Sequence, residues 1–598
     1  MTLLRRPWRI RLTLSALLTL AALLDLAVII LLLAYDSGLL IRFGPVNLRI
    51  RDMFRVLVVG VVIHAALLVS CWPIVFWRRL TMAMAASLLL CALLVTARHT
   101  PPVWSVADEA IIELYTMNAT HGEQLLGGYS QFGWHHPGPL MFYALAPFYL
   151  AGGQGAGAIH AGAVATNIVS LIAIAWIFSR RVRSGSSLSE PVALAILLGI
   201  FLVRERGILA SAWNPHIAVF PFLALLILSA SVAAGDFVIL PLAALFASFV
   251  AQAHIGLAPV SGAVVAGAVT GAALVARGDG EQRRWLLRWI NISAWVLAAA
   301  WLLPISEEIA YSPGNMTQIW RFFTSSQIGQ PLGIALPAFA DTLVGVFRPG
   351  FRVATGWRFI ASSNVLPLFV AIAEIPLLWL AARSGRRSRE RFRCALASLC
   401  LLASSVALVS MTRIYGEIVD HEIFWVCGLG LVNAAVIAGF LAPVQRLPVR
   451  RDAWRARVMT MTCLLLVASG VGLGFIELRD VELRTQMGRD EAAAQHLTDR
   501  ISTDMGRLGI ATPIIRTDGD AWSVAAGVVL NLRKKGIRVS VSPDLVGLFD
   551  RQLLPNGEED AEITICGSTV HQHLVDRSNN LFIGHYEAIF ADAVKLPH

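Results

Sequence analysis

The chain has 598 residues, 56% of them hydrophobic and only 15% charged, too few polar side chains to cover a water-soluble protein of this length. The net charge of +10 would suit a nucleic-acid binder, but the arginines gather in short loops between apolar runs, so the basic balance reports membrane topology and argues against a nucleic-acid partner. Seven cysteines (Cys71, Cys91, Cys394, Cys400, Cys427, Cys463 and Cys566) show no CxxC spacing, which suggests neither a zinc site nor a disulfide framework.

Arg5, Arg6, Arg9 and Arg11 precede an apolar run too long for a signal-peptide core, read as a retained first helix. Runs long enough to cross a bilayer predict spans at roughly 13–34, 56–77, 80–97, 155–178, 189–203, 215–234, 237–252, 255–276, 286–304, 362–382, 394–412, 422–442 and 458–476. With the N-terminus in the cytoplasm, the arginine-dense loops near 78–79, 180–183, 277–288, 386–393 and 446–457 all fall inside. The segment 36–55, with Arg42 and Arg55, falls outside and reads as a hairpin-like piece at the interface. After about Glu477 the chain turns charged. A helix near 484–508, a strand at Pro513–Arg516, a helix near 521–534 and strands at Ile537–Val541 and Glu562–Ile565 predict a small α/β domain. The expected architecture is therefore an all-α membrane fold of about 13 transmembrane helices, residues 1–476, with a first outer loop at about 98–154. A soluble extracytoplasmic α/β domain, residues 477–598, follows. This describes a multi-pass protein of a bacterial inner membrane, its N-terminus cytoplasmic and its C-terminal domain periplasmic or extracellular.

Threading also assigns the polar residues to a face. Asp108 and Glu109, then Tyr129, Ser130, His135 and His136, lie in the first outer loop. Asn214 and His216 bracket Pro215; Gln252 and His254 lie between two spans; Glu307 and Glu308 precede Ser312-Pro313-Gly314-Asn315; Arg413 is followed by Asp420, His421 and Glu422. All five groups emerge on the outer side at hydrophobic boundaries. Each charge would cost up to about 3 kcal/mol if drawn to the bilayer centre, so such groups tend to face a cavity, and one outward-opening cavity is expected.

The acidic pair Asp108-Glu109 followed by Gly128-Tyr129-Ser130-Gln131-Phe132-Gly133-Trp134-His135-His136-Pro137-Gly138-Pro139 resembles polytopic glycosyltransferases of the GT-C superfamily, most closely bacterial members. The Ser312–Asn315 turn and Asp420-His421 resemble them too, and the likeness covers the membrane region of about 470 residues. It implies a GT-C type enzyme, a hexosyl- or pentosyltransferase. The donor would be a polyprenyl-phosphate-linked sugar and the acceptor an extracytoplasmic glycan, lipid or protein, both met at membrane lipid. Asp108 maps onto the family's catalytic acidic residue, base or acceptor-orienting, with Glu109 supporting it. The sequence has Asp-Glu rather than Asp-x-Asp, which leaves a metal role, for magnesium or manganese, open. Candidate binding residues are Tyr129, Ser130, His135, His136, Asn214, His254, Glu307, Glu308, Arg413, Asp420 and His421.

Each residue also has a plainer use. Asp108 and Glu109 suit a helix start; the histidines could form a turn before Pro137; Asn214 could cap a span; Gln252 and His254 could bond between helices. Three rival functions share the composition: a transporter or flippase of lipid-linked glycans, a ligase moving whole glycans, and an assembly subunit. A transporter would place its polar groups near the midplane in repeated halves, whereas here they cluster at one face and no repeat is evident.

Overall fold

The computed structural model describes residues 104–183, 188–325, 329–359 apart from 349 and 357, 364–384, 391–441, 452–482 and 488–567 apart from 519 and 520. It also describes the strand pairs 39–43 with 46–50 and 580–583 with 586–592, and a few single positions before 104. The expected spans 13–34, 56–77 and 80–97 lie outside the described residues. Strands β1 (Leu39–Phe43) and β2 (Val46–Ile50) pair antiparallel in the segment read as hairpin-like.

Within the expected first outer loop, two helices form: α1 (Ala107–Thr120) and α2 (Leu140–Ala151). Then come α3 (Ala156–Arg183), α4 (Ser189–Arg204), α5 (Val219–Ala233), α6 (Leu240–Ala253) and α7 (Ala258–Val275). Next are α8 (Gly280–Ala300), α9 (Leu302–Ala310), α10 (Asn315–Ser325), α11 (Leu332–Leu343) and α12 (Leu366–Arg383). The bundle closes with α13 (Arg391–Met411), α14 (Val426–Leu441) and α15 (Asp452–Glu482). Among the described residues seven helices are long and apolar enough to cross a membrane, or eight if the bent pair α8–α9 counts as one span. The expectation of about 13 is therefore met only in part. The runs at 189–203 and 237–252 fold as helices of 16 residues and, with its leading turn, 17 residues, short of a full crossing.

Helix α5 is hydrophobic on every side and every residue of it is buried, the mark of a central helix. It packs against α3, α6, α7, α13 and α14. Outer helices instead bare apolar side chains, such as Phe369 and Ile375 on α12 and Trp295 on α8, which suits a lipid face. Two buried carboxylates of the bundle have partners, as is favoured where water is absent: Glu190 on α4 meets Arg393 on α13, and Glu374 on α12 accepts from Asn433 at 2.9 Å. Helices α8 and α9 meet at 49°. Pro304 in the first turn of α9 has no N–H to give to the preceding turn, which accounts for the break.

Helix α15 runs on to Glu482, past the expected boundary at 476. Beyond it lie α16 (Arg489–Leu508), β3 (Pro513–Asp518), α17 (Trp522–Lys534), β4 (Ser540–Val541), β5 (Ala561–Gly567), β6 (Asn580–Ile583) and β7 (Tyr586–Asp592). The strands form one mixed sheet in the order β4-β3-β5-β7-β6, with β3 parallel to both β4 and β5. Ile515 opposes Val541 on one side and Ile563 on the other, and all three are fully buried. Only Ser540 and Val541 of the expected strand 537–541 pair.

Candidate functional site

Helix α1 begins after an extended Val106 that supplies no side-chain cap. Asp108 and Glu109 occupy the first turn instead, where the exposed N–H groups favour negative charge. Asp108 is half-buried and Glu109 exposed. The hydroxyl of Tyr129 donates to Asp108 Oδ1. Burial first, and the Asp108 charge second, push the Tyr129 phenol well above its ordinary value, so it remains a donor.

Tyr129 stands on a narrow antiparallel strap. The Ser130 N–H donates to Trp134 O at 3.0 Å and the His136 N–H to Gly128 O at 2.7 Å, with Gly133 at φ +80° making the turn. The strap lies so close to the short helical turn Asn214–Ile217 that precedes α5 that a Cβ on Gly128 would fall 2.1 Å from Asn214 Nδ2. Gln252 Oε1, on α6, accepts from Leu140 N at 3.2 Å. Asn315 holds the strap's far edge, accepting from His135 N at 2.8 Å and donating to His135 O at 2.9 Å. Four of the sequence clusters thus meet where the side chains of Asn214, Gln252 and Asn315 reach the backbone around the strap.

A cavity of about 700 Å³ opens beside the strap. Asp108, Tyr129, Ser130, His136, Asn214, His254, Arg413 and His421 all line it, which joins residues from four of the five clusters. Phe132, Trp134, Phe322, Phe323 and Tyr415 form one of its walls, with ring centroids 5.0–6.2 Å apart. His136 Nδ1 accepts from the Ile255 N–H at 3.1 Å. A neutral ring in that state carries its proton on Nε2, so His136 offers an N–H donor to a ligand. Burial pushes its pKa down to about 3, with His135 and His421 adding to the shift. The ring stacks on His254 at 5.3 Å between centroids, and His254 Nδ1 is buried without a hydrogen-bond partner. Arg413 donates to Phe323 O at 2.7 Å and brings a positive charge to the cavity rim.

A second cavity of about 590 Å³ shares Asp108, Ile112, Trp213 and Thr355 with the first. Its polar lining includes Glu109, His160, Arg206, His216, Glu477 and Asp480. Asp108 thus stands on the wall common to both spaces. His160 Nδ1 bonds the carbonyl of Ala210 at 2.8 Å, which places its proton there and leaves Nε2 as an acceptor.

Four expected binding residues stand outside both linings. His135 is buried against Tyr115, with its Nε2 3.2 Å from the hydroxyl. Glu307 accepts from Asn315 N at 2.8 Å, and Glu308 accepts from Thr317 N at 3.1 Å. Asp420 accepts from the N–H groups of Thr355 and Gly356 at 2.9 and 2.8 Å; its contacts are those of a loop brace. No group of three His, Cys, Asp or Glu side chains among the described residues stands close enough to hold a metal ion.

Sequence reasoning named neither His160 nor Trp522 as a site residue. A histidine inside the apolar run 155–178 was a usable signal, since such groups seek a cavity or a partner. Trp522, which lines the larger cavity from α17, carried no local signal at all.

No family model matches the chain, and no curated protein matches it. Among solved structures it is similar to ArnT from Cupriavidus metallidurans bound to undecaprenyl phosphate, at 11% identity, with 85% of this chain and 97% of that one covered and a TM-score of 0.48. It is also similar to ArnT from the same organism in the apo state, at 10% identity, 86% and 97% coverage and a TM-score of 0.46.

Proposed function

We propose that this protein transfers a sugar from a polyprenyl-phosphate donor to an extracytoplasmic glycan, lipid or protein. The observation that carries the reading is the position of Asp108, one carboxylate on the wall shared by two cavities in a chain rich in membrane-crossing helices. Transfer needs two substrates brought to one base, and this arrangement supports that requirement. Asp108 takes the proton of the acceptor hydroxyl, whose oxygen bonds to the anomeric carbon as the bond to the phosphate oxygen breaks. The electron pair leaves with polyprenyl phosphate. Arg413 and the His136 Nε2–H supply charge and a donor for the leaving oxygen, while Tyr129 holds Asp108 in one rotamer through Oδ1 and leaves Oδ2 for the acceptor. The aromatic wall suits an apolar ligand that bears a sugar.

The test is release of polyprenyl phosphate by the purified chain from a panel of polyprenyl-phosphate sugars with candidate acceptors present. Turnover of one donor is expected, falling by at least about a thousandfold in Asp108→Asn, which keeps the shape and loses the base. No turnover of any donor by folded wild type would move the reading to a transporter or an assembly subunit.

A further inference from the structure

Among the described residues beyond Glu482, only Trp522 lines the larger cavity. We propose that Trp522 is the specificity-determining wall of the sugar subsite, its indole face taking the C–H face of the donor's sugar ring; this rests on the polyprenyl-phosphate-sugar reading above. Placement is the first argument. The indole packs edge-to-face on Tyr129, with centroids 6.5 Å apart at 66°, and Tyr129 in turn donates to Asp108. One side chain therefore separates Trp522 from the base, and the reacting carbon of a bound donor must lie near that base.

Chemistry is the second argument. Trp522 is half-buried, so one part of its ring is held by protein and another meets the cavity. A sugar ring carries an apolar C–H face that a flat aromatic surface can cover, whereas a phosphate has only charged oxygens to offer. An indole beside the base therefore discriminates by the sugar.

The third argument is how firmly the ring is held. Trp522 is the first residue of α17, and α17 lies against α1, the helix that carries Asp108 in its first turn. A Cβ on Gly527 would stand 2.7 Å from Ser105 O, so the two segments touch backbone to backbone. Lys534 pairs with Glu113, and Arg533 donates to Asn118 at 2.9 Å. These ties fix the register between indole and carboxylate and place the ligand-facing ring on a rigid element.

Binding to the full-length chain in detergent would be measured for short-chain prenyl phosphates bearing a hexose or a pentose, and for the same prenyl phosphate without sugar. Trp522→Ala is expected to weaken the preferred sugar-bearing ligand about tenfold and the bare phosphate by less than about twofold. Trp522→Phe, which keeps an aromatic face, is expected to stay within about threefold of wild type; Trp522→Met, with volume but no ring, replaces the alanine variant should that fail to fold. Equal losses for both ligands, or none for either, overturn the assignment while leaving the donor reading intact. Wild type that binds neither ligand overturns both.

Discussion

Asp108 sits where a helix start already favours a carboxylate, so its charge alone argues nothing; the hydrogen bond from Tyr129 and the cavity on either side distinguish it. Tyr129→Phe removes that bond without removing the base. The variant is expected to lose about ten- to a hundredfold in kcat with a smaller change in KM, as fits a group that orients a catalytic residue; an unchanged kcat would remove Tyr129 from the machinery. Burial and, more weakly, Arg551 hold His135 at about 4, and burial holds His136 at about 3, against an ordinary 6.5. An unfolded chain takes up these protons below pH 6.5 and the folded one does not, so their contribution to stability is full above 6.5 and is lost as the pH falls toward 4. Asp550 runs the other way. Burial pushes it from 3.8 up to about 6, so its contribution is full below 3.8 and lost as the pH rises through 6. Comparing variants separates the two. In a thermal-melt series, His136→Phe is expected to fall less than wild type between pH 6.5 and 4, while Asp550→Asn gains most above pH 6.

At the scale of elements, the decisive contact is α17 on α1. Glu113 is fully buried and accepts from Ser105 Oγ at 2.6 Å and Tyr149 at 3.2 Å as well as pairing with Lys534. Removing the cation leaves a buried carboxylate uncompensated. Lys534→Met should therefore cost about 3 kcal/mol, with Glu113→Gln in the same chain returning a large part of it; a double variant no better than the single would show that the pair is not coupled. Much of this level was legible in sequence. Most of the apolar runs beyond 155 fold as helices near their expected limits, because length and hydropathy are local properties; the run 286–304 is the exception, divided by the break between α8 and α9. Helices near 484–508 and 521–534 and the strand starting at Pro513 also appear, because their periodicity is local. The contact of α17 on α1 was not legible: Lys534 and Glu113 are 421 positions apart, and no periodicity encodes who meets whom at that distance. The helices inside the expected first loop were hidden for another reason, since an acidic pair and a run of glycines and prolines dominate its composition.

For the whole molecule, eight of the expected site residues from four separate clusters line the larger space, and Asp420, Glu307 and Glu308 brace the loops that shape it. The C-terminal unit borders the same space through Trp522. That unit reaches the membrane region at several further points: Tyr115 donates to Leu548 O at 2.9 Å, Gln552 to Glu123 O, and Arg551 approaches Glu307 at 3.7 Å. Truncation after Glu482 is therefore expected to abolish sugar transfer and lower the thermal midpoint of what remains; a truncated chain with full transfer activity would separate the unit from the site.

The pairing of Lys534 with Glu113 also sets a timetable for biogenesis. At roughly 5–20 residues per second, the partner of Glu113 leaves the ribosome about 20 to 80 seconds after Glu113 itself, given the 421 positions between them. Through that interval the helix bearing Asp108 lacks the Lys534 tie and has only the nearby bonds of Ser105 and Tyr149 to Glu113. Chains arrested before residue 534 are expected to leave a Glu113→Cys thiol open to a water-soluble maleimide, and finished chains to close it. The candidate base would then be among the first polar groups delivered to the membrane and among the last to be made ready.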